Sequence, residues 1–206
     1  MAELCVGSVL VTGANRGIGL GLVHHFLRMP KPPQWIFATC RDPKGQRAQD
    51  LQNLASKHPN LVIIALEVAN PVSIKAAAAK VGEHLGGSGL NLLINNAGMV
   101  KPKMLEAETL EDMTDTYTTN TVGPMLMGQA ALNMLSKCQS LAYKEHGILC
   151  VALHPGWVQT DMGSSAGHTP PVTVDDSVQG MLKVLSSLSE KDTGAFLDWE
   201  GKVVPW

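Results

Sequence analysis

The sequence predicts an α/β fold, a doubly wound parallel sheet, and three observations point to it. Short apolar runs alternate with helical patterns along the first half of the chain. Those runs are continuous rather than alternating, as strands buried on both faces are. The first of them also leads through a glycine-rich turn straight into a helix. Strand–helix alternation of this kind builds parallel pairs joined by right-handed crossovers.

The elements follow in order. Ser8 to Thr12 (SVLVT) is apolar and β-branched, a first strand. Gly17 to Arg28 has helical periodicity, and Pro30 stops it. Trp35 to Cys40 (WIFATC) is a second strand, and Pro43 to Lys57 a polar amphipathic stretch. Leu61 to Val68 is a third strand. Ser73 to Leu85 is an alanine-rich helix ended by Gly86-Gly87. Leu90 to Asn95 is a fourth strand. Near the far end, Ile148 to His154 is again a strand. Val174 to Leu188 is a helix with Asp175 and Asp176 in its first turn, and Ala195 to Trp199 is a last short strand. No repeat, linker or low-complexity segment divides residues 1–206, so a single domain is expected.

The middle breaks the rhythm. From Leu110 to His146 there is no strand pattern, and the only breakers are Gly123-Pro124 and Gly128. Read as one helix, this stretch would be about 55 Å long at 1.5 Å per residue. A strand of ordinary length spans only about 20 Å. A crossover helix should roughly match the strand it packs on.

Composition narrows the function classes. The chain has 206 residues, 45% hydrophobic and 17% charged, which is globular rather than disordered. A net charge of −2, with the basic residues scattered, gives no footprint for nucleic acid or an anionic membrane. The start lacks the basic n-region of a signal peptide, and the longest apolar run, Leu61 to Leu66, is far too short to span a bilayer. The expected location is therefore cytoplasmic. Cys5, Cys40, Cys138 and Cys150 form no CxxC pair and no metal spacing, so reduced, partly buried thiols are expected.

Thr12-Gly13-Ala14-Asn15-Arg16-Gly17-Ile18-Gly19 lies between the first strand and the first helix. Gly13 and Gly17 can take backbone angles closed to other residues, and their missing side chains would let a pyrophosphate approach the backbone. Gly19 would let the helix lie close to the sheet. The helix N-terminus would offer free N–H groups and a positive dipole end to phosphates. An ordinary glycine-rich turn is the plainer reading. Its place in the first strand–helix–strand unit, with further such units behind it, favours a dinucleotide cofactor.

The spacing is GxxxGxG. Together with Asn95-Asn96-Ala97-Gly98 at the end of the fourth strand, it resembles the short-chain dehydrogenase/reductase family. His154-Pro155-Gly156-Trp157-Val158-Gln159-Thr160-Asp161-Met162 is similar to the family's PGxVxT segment beside the nicotinamide. With Phe196-Leu197-Asp198-Trp199-Glu200-Gly201 and the closing Pro205-Trp206, the whole string resembles the sniffer and C-factor-like carbonyl reductase branch. The resemblance implies a Rossmann-like sheet and NADP(H)-dependent reduction of small carbonyl compounds. It also carries roles onto particular residues. Gly13, Asn15, Arg16, Gly17, Ile18 and Gly19 would line the pyrophosphate and ribose. Asn95, Ala97 and Gly98 would line the adenine ribose side. Pro155, Gly156, Val158 and Thr160 would hold the carboxamide end. Glu67-Val68 falls where the family usually has Asp-Val against the adenine, so Glu67 departs from the pattern.

The cofactor choice is also legible. NAD users usually place an acid after the second strand to hold both ribose hydroxyls. Here that strand ends Cys40-Arg41-Asp42, so an arginine comes first, and Arg16 precedes Gly17. Two guanidinium groups can fork onto a 2′-phosphate, which favours NADP(H) over NAD(H).

The family reduces carbonyls with an Asn, a Ser and a Tyr-x-x-x-Lys pair. The tyrosine delivers a proton, and lysine four residues on shares its helix face and makes that proton available. The serine polarises the carbonyl. Asn120, in Asn120-Thr121-Val122-Gly123-Pro124, matches the family Asn, and the others have no match. Four residues after Tyr117 and Tyr143 stand Thr121 and Gly147. The chain therefore reads as lacking an internal segment near Gln129 that carries the serine strand and the catalytic pair, one strand fewer than the family norm. Closing that slot predicts direct parallel pairing of Ile148–His154 with Leu90–Asn95, six strands in all. It also predicts a break in the fused helix near Gly123-Pro124 or Gly128.

Three functional readings stay open on the sequence: an impaired carbonyl reductase, a non-catalytic protein that binds cofactor or subunits, and a destabilised shortened form without function. Family members pair subunits through the two helices fused here, so a homo-oligomer is possible but the pairing surface is altered. His24-His25 have no partner at metal spacing, and His154 reads as structural. Met125, Met127 and Met134 read as helix packing.

Overall fold

The computed structural model describes residues 4–99, 109–122, 140–141, 143–164 and 168–204. The chain divides into two compact units, one of Cys5–Gly98 and one from Met99 onward.

The first unit is a parallel sheet with its helices. Strands β1 (Ser8–Val11), β2 (Trp35–Cys40), β3 (Leu61–Ala65) and β4 (Leu92–Ile94) stand in the order β3-β2-β1-β4, and every pair is parallel. β1 is buried at every residue and β2 at all but its first, which explains their unbroken apolar sequences. Helix α1 (Gly17–Arg28) buries Gly19, Leu22, Val23 and Phe26, the i, i+3, i+4, i+7 stripe of a helix lying on a sheet. The polar stretch after β2 forms a short 3₁₀ turn, Gln46–Ala48, and helix α2 (Gln49–Ala55).

Helix α3 (Pro71–Leu85) is delimited by local chemistry. The Asn70 side chain accepts from the N–H groups of Val72 and Ser73, Pro71 occupies the first helical position, and Gly86 closes the end at φ 57°. Phe26, Phe37, Ile36, Leu22, Leu51 and Ile64 are the largest fully buried side chains and form the core.

His24 lies at the edge of that core. Burial, and next the charge of Arg28, hold its imidazole below the ordinary value of 6.5. The folded state thus binds the proton less well than the unfolded state does. The contribution of neutral His24 is present above 6.5 and is lost as the pH falls below that value, through the lower pKa of the folded state. Unfolding stability should decline on acidification over this range, and His24→Gln should flatten part of the slope. Denaturant titrations at a series of pH values test this; an identical slope in the variant would rule it out.

The second unit contains helix α4 (Leu110–Tyr117), capped by Thr109 and Asp112 in a reciprocal box. A π-helical turn, Thr118–Val122, follows it. The expected break near Gly123-Pro124 or Gly128 lies outside the described residues. The far end of that stretch is not one continuous helix: Tyr143 lies in a bend and Lys144–His146 form a 3₁₀ turn. Strand β5 (Ala152–His154), helix α5 (Asp161–Ser164), helix α6 (Val174–Ser187) and strand β6 (Phe196–Asp198) complete the unit. α6 is capped by the Thr173 hydroxyl on the Asp176 N–H and buries Ser177, Val178, Met181, Leu182 and Val184.

The expected pairing of the fourth and fifth strands is corrected here. Six strands are described, but β4 lies in the four-stranded sheet and β5 pairs in parallel with β6 in a separate two-stranded sheet. The expectation assumed that open edges would be buried and therefore costly. Instead, Leu92, Leu93 and Ile94 are only half-buried and His154 is exposed, so solvent can meet their backbone groups. Leu90–Asn95 and Ile148–His154 also shrink to three residues each, too few for a long ladder. The backbone before β5 turns toward β6: the Gly194 N–H donates to the Cys150 carbonyl at 2.7 Å and the Ala152 N–H to Ala195 at 3.0 Å.

Among the described cysteines, Cys40 is buried and Cys150 half-buried, and burial pushes both thiols up. Cys5 is exposed rather than partly buried.

Candidate functional site

In the four-stranded sheet β1 lies between β2 and β4, so the chain order reverses between β1 and β4. Ligands of open parallel sheets sit at the carboxyl ends of the strands at such a point. Thr12-Gly13 and Asn95–Gly98 are the carboxyl ends of these two strands.

The turn after β1 is shaped as its glycines require. Gly13 has φ 63° and Gly17 φ 53°, left-handed backbone that side chains rarely adopt. A Cβ on Gly19 would lie 2.3 Å from the Gly13 carbonyl oxygen and 2.6 Å from the Asn96 amide, so only glycine lets α1 come this close. On the side where a Cβ would stand, Gly13 packs against Ala97, whose Cα would lie 2.9 Å from it. Gly13 serves its own backbone angle and the packing of the two strand ends.

Thr12 and Asn96 tie those ends together. The Thr12 hydroxyl, 1% exposed, accepts from the N–H groups of Asn96 (3.0 Å) and Ala97 (2.9 Å). The Asn96 amide donates to the carbonyls of Thr12 (2.8 Å) and Gly13 (3.2 Å). Neither residue was assigned a role from sequence. The doubled asparagine in the NNAG string was the available signal, since two adjacent amides at a strand end have different directions to point. Asn95 is exposed, whereas Asn96 is half-buried and structural.

A dinucleotide fits this turn on two counts. No side chain caps the start of α1, because Arg16 at the N-cap has no acceptor to offer. Gly17 also brings no side chain to the helix entrance. Ile18 is half-buried at the helix start. Asn15 donates to the Arg47 carbonyl at 3.2 Å, closing the turn against the segment after β2. Arg41 is exposed, and its Nε lies 4.0 Å from a Glu67 carboxylate oxygen. The other Glu67 oxygen accepts from the Ala69 N–H at 3.2 Å, and Ser73 Oγ accepts from the Glu67 N–H at 2.9 Å. Glu67 is thus held by its own turn, and Val68 beside it is buried.

In the second unit, Pro155–Thr160 leaves β5 as a tightly tethered loop. Ser177 of α6 donates to the Pro155 carbonyl at 2.6 Å, and the Gly156 N–H donates to His154 Nδ1 at 3.0 Å. His154 is therefore structural, as expected. Gly156 has φ 84°. Val158 is buried and bridged to Val172. The Thr160 hydroxyl accepts from the Gly163 N–H at 3.1 Å, fastening the first turn of α5. Trp157 donates through Nε1 to the Gly163 carbonyl at 2.8 Å.

Asn120 sits in the π-helical turn, half-buried. Its Oδ1 accepts from the Met99 N–H and its Nδ2 donates to the Met99 carbonyl, both at 2.8 Å. The amide holds one backbone position from both sides, and single π-turns of this kind are frequent at functional sites. Tyr117 is 62% exposed. Among the described residues no group of His, Cys, Asp and Glu could hold a metal, and no helix is long and apolar enough to cross a membrane.

Comparison with known proteins agrees with this geometry. The model of the short chain dehydrogenase family matches residues 7–139. The crystal structure of an NADPH-bound carbonyl reductase from chicken fatty liver is similar, with 56% identity, a TM-score of 0.94, and coverage of 98% of this chain and 100% of that one. The carbonyl reductase Sniffer of D. melanogaster is 30% identical at a TM-score of 0.91, again over 98% and 100%. An uncharacterized oxidoreductase of Schizosaccharomyces pombe is 26% identical over 250 aligned residues, covering 95% of this chain and 96% of its own. With a parallel sheet, a glycine turn at its switch point and these relatives, the chain belongs to the short-chain dehydrogenase family, an α/β oxidoreductase family of Rossmann-like fold.

Proposed function

We propose that this chain binds NADP(H) in preference to NAD(H), descends from reductases of small carbonyl compounds, and turns such compounds over far more slowly than they do. One observation carries the reading: an intact glycine turn, locked by Thr12 and Asn96, stands in a sequence with no Tyr-x-x-x-Lys pair. The NADPH in the chicken relative supports the cofactor. An internal segment missing near Gln129 accounts for the absent pair. The yeast alignment, longer than this chain although it covers nearly all of it, supports that account.

The roles divide as follows. Gly13, Asn15, Arg16, Gly17, Ile18 and Gly19 hold the pyrophosphate and its ribose, with phosphate oxygens against the first N–H groups of α1. Asn95, Ala97, Gly98, Glu67 and Val68 border the adenosine. Arg16 and Arg41 meet the 2′-phosphate, which draws Arg41 from Glu67. Pro155, Gly156, Val158 and Thr160 hold the carboxamide end. NADPH, when bound, supplies a hydride. The sequence has no Tyr-x-x-x-Lys pair to deliver the matching proton, and Asn120 holds the Met99 backbone. We read residues 1–206 as one dinucleotide-binding domain acting in the cytoplasm, without nucleic acid or membrane partners, and any homo-oligomer as altered at the α4 surface.

Titration of NADPH fluorescence with purified protein tests the reading, and an absence of binding would leave the destabilised form as the better account. Arg41→Ala should weaken NADPH by about 1.5 to 3 kcal/mol, the value of a charge-assisted contact, and leave NADH nearly unchanged. Isothermal titration of both cofactors measures this; equal losses would remove Arg41 from the 2′-phosphate.

A further inference from the structure

Trp199 follows β6 in a turn that is closed from within. Asp198 Oδ1 accepts from the N–H groups of Glu200 (2.9 Å) and Lys202 (2.8 Å), and the Gly201 N–H donates to the Asp198 carbonyl at 3.0 Å. Gly201 has φ 86°, and Leu197 bridges to Val203 across the turn. The half-buried indole is thereby presented from a fixed backbone.

It lies against two glycines. A Cβ on Gly156 would come within 3.1 Å of both Cδ1 and Nε1, the pyrrole edge of the ring. A Cβ on Gly180 of α6 would come within 2.5 Å of Cε3 and of the Trp199 carbonyl oxygen, and within 3.3 Å of Cζ3, the benzene edge. One ring therefore fills the space left by two missing side chains. One of these belongs to the loop after β5, and the other to the helix that donates Ser177 to Pro155. α6, the β6 turn and the Pro155–Thr160 loop are keyed to each other through Trp199.

We propose that Trp199 is a positioning residue for the nicotinamide end of the cofactor: it sets the place of Pro155-Gly156 without touching the cofactor itself. The proposal rests on the cofactor reading above. A smaller side chain leaves Gly156, already in left-handed backbone, with only Val172 Cγ2, 3.4 Å from its Cβ position, on that side. The loop keeps its bonds to Ser177 and Val172 but loses the ring that fixes the backbone at Gly156, and a ligand held there must order that turn again at a cost in affinity. The adenosine end, held by residues of the other unit, is indifferent to this.

The test compares two ligands on three proteins. Adenosine 2′,5′-bisphosphate probes the adenosine end alone, and NADPH probes both ends. Trp199→Ala should weaken NADPH about tenfold or more, while the bisphosphate stays within about twofold. It should also lose the change in nicotinamide emission that accompanies binding. Trp199→Phe, whose ring keeps the place of the pyrrole ring facing Gly156 but loses the benzene edge facing Gly180, should fall between and serves if the alanine variant does not fold. Unchanged NADPH affinity and emission in both variants would overturn the proposal. So would parallel losses of both ligands, which would make Trp199 a general support of the fold. Failure of wild-type protein to bind the bisphosphate would instead overturn the cofactor reading, and this proposal with it.

Discussion

Purified protein saturated with NADPH is expected to reduce aldehydes and quinones at least about 10⁴-fold more slowly than a form of the chain carrying the Ser and Tyr-x-x-x-Lys segment. A positioned general acid contributes about 10²- to 10⁴-fold, and carbonyl polarisation a further 10²- to 10³-fold. On the function proposed above, the segment that supplies both is missing, and the sequence has no Tyr-x-x-x-Lys pair. Asn120 cannot stand in as the acid, because a carboxamide does not give up a proton near neutral pH, and its amide holds the Met99 backbone. Tyr117, one turn before Asn120, is the only tyrosine near it in the chain. It is largely exposed, and Thr121 stands where a lysine would be needed. NADPH oxidation followed through the absorbance of the reduced nicotinamide in the two proteins decides the matter. Comparable rates would show that another residue delivers the proton, and Tyr117→Phe would then identify or dismiss it.

The second large effect is expected at Thr12. Thr12→Val keeps the shape of the side chain and removes the oxygen that accepts from Asn96 and Ala97. The Asn96 N–H keeps the Ile94 carbonyl at 3.1 Å, so the Ala97 N–H is the group left without its partner, and the loss in stability should be about 1 to 3 kcal/mol. The Asn96 amide still has its two carbonyls, but the backbone at Ala97 loses its anchor. Affinity for NADPH should fall with stability, since Gly13 and Ala97 are packed together at the same point. Chemical denaturation of wild type and variant measures the first effect. A change below about 0.5 kcal/mol, the scale of an ordinary surface substitution, would show that solvent replaces the hydroxyl.

Much of the first unit could be read directly. Gly17–Arg28 and Trp35–Cys40 match the observed α1 and β2 at both ends. Their boundaries are set by residues inside or next to them: a glycine turn, Pro30, a β-branched run. Other strands came out shorter than their apolar runs. Leu61–Val68 ends as a strand at Ala65: the Leu66 N–H still bonds to the Cys40 carbonyl, but those of Glu67, Ala69 and Asn70 are spent on the turn before α3. The glycine turn was legible because left-handed angles at Gly13 and Gly17 are a property of residue type.

The sequence alone determined the family, the parallel sheet, the glycine turn and the lack of a tyrosine–lysine pair. These depend on residue types within a few positions of one another, where periodicity and spacing dictate local structure. Only the tertiary structure decided that Asn96 rather than Asn95 binds the turn, and that Ala97 fills the space beside Gly13. It alone seated Trp199 between Gly156 and Gly180 and paired β5 with β6 instead of β4. Each of these joins residues far apart in the chain. Which distant groups meet is settled by competition for burial and for hydrogen-bond partners, and no local pattern records the outcome.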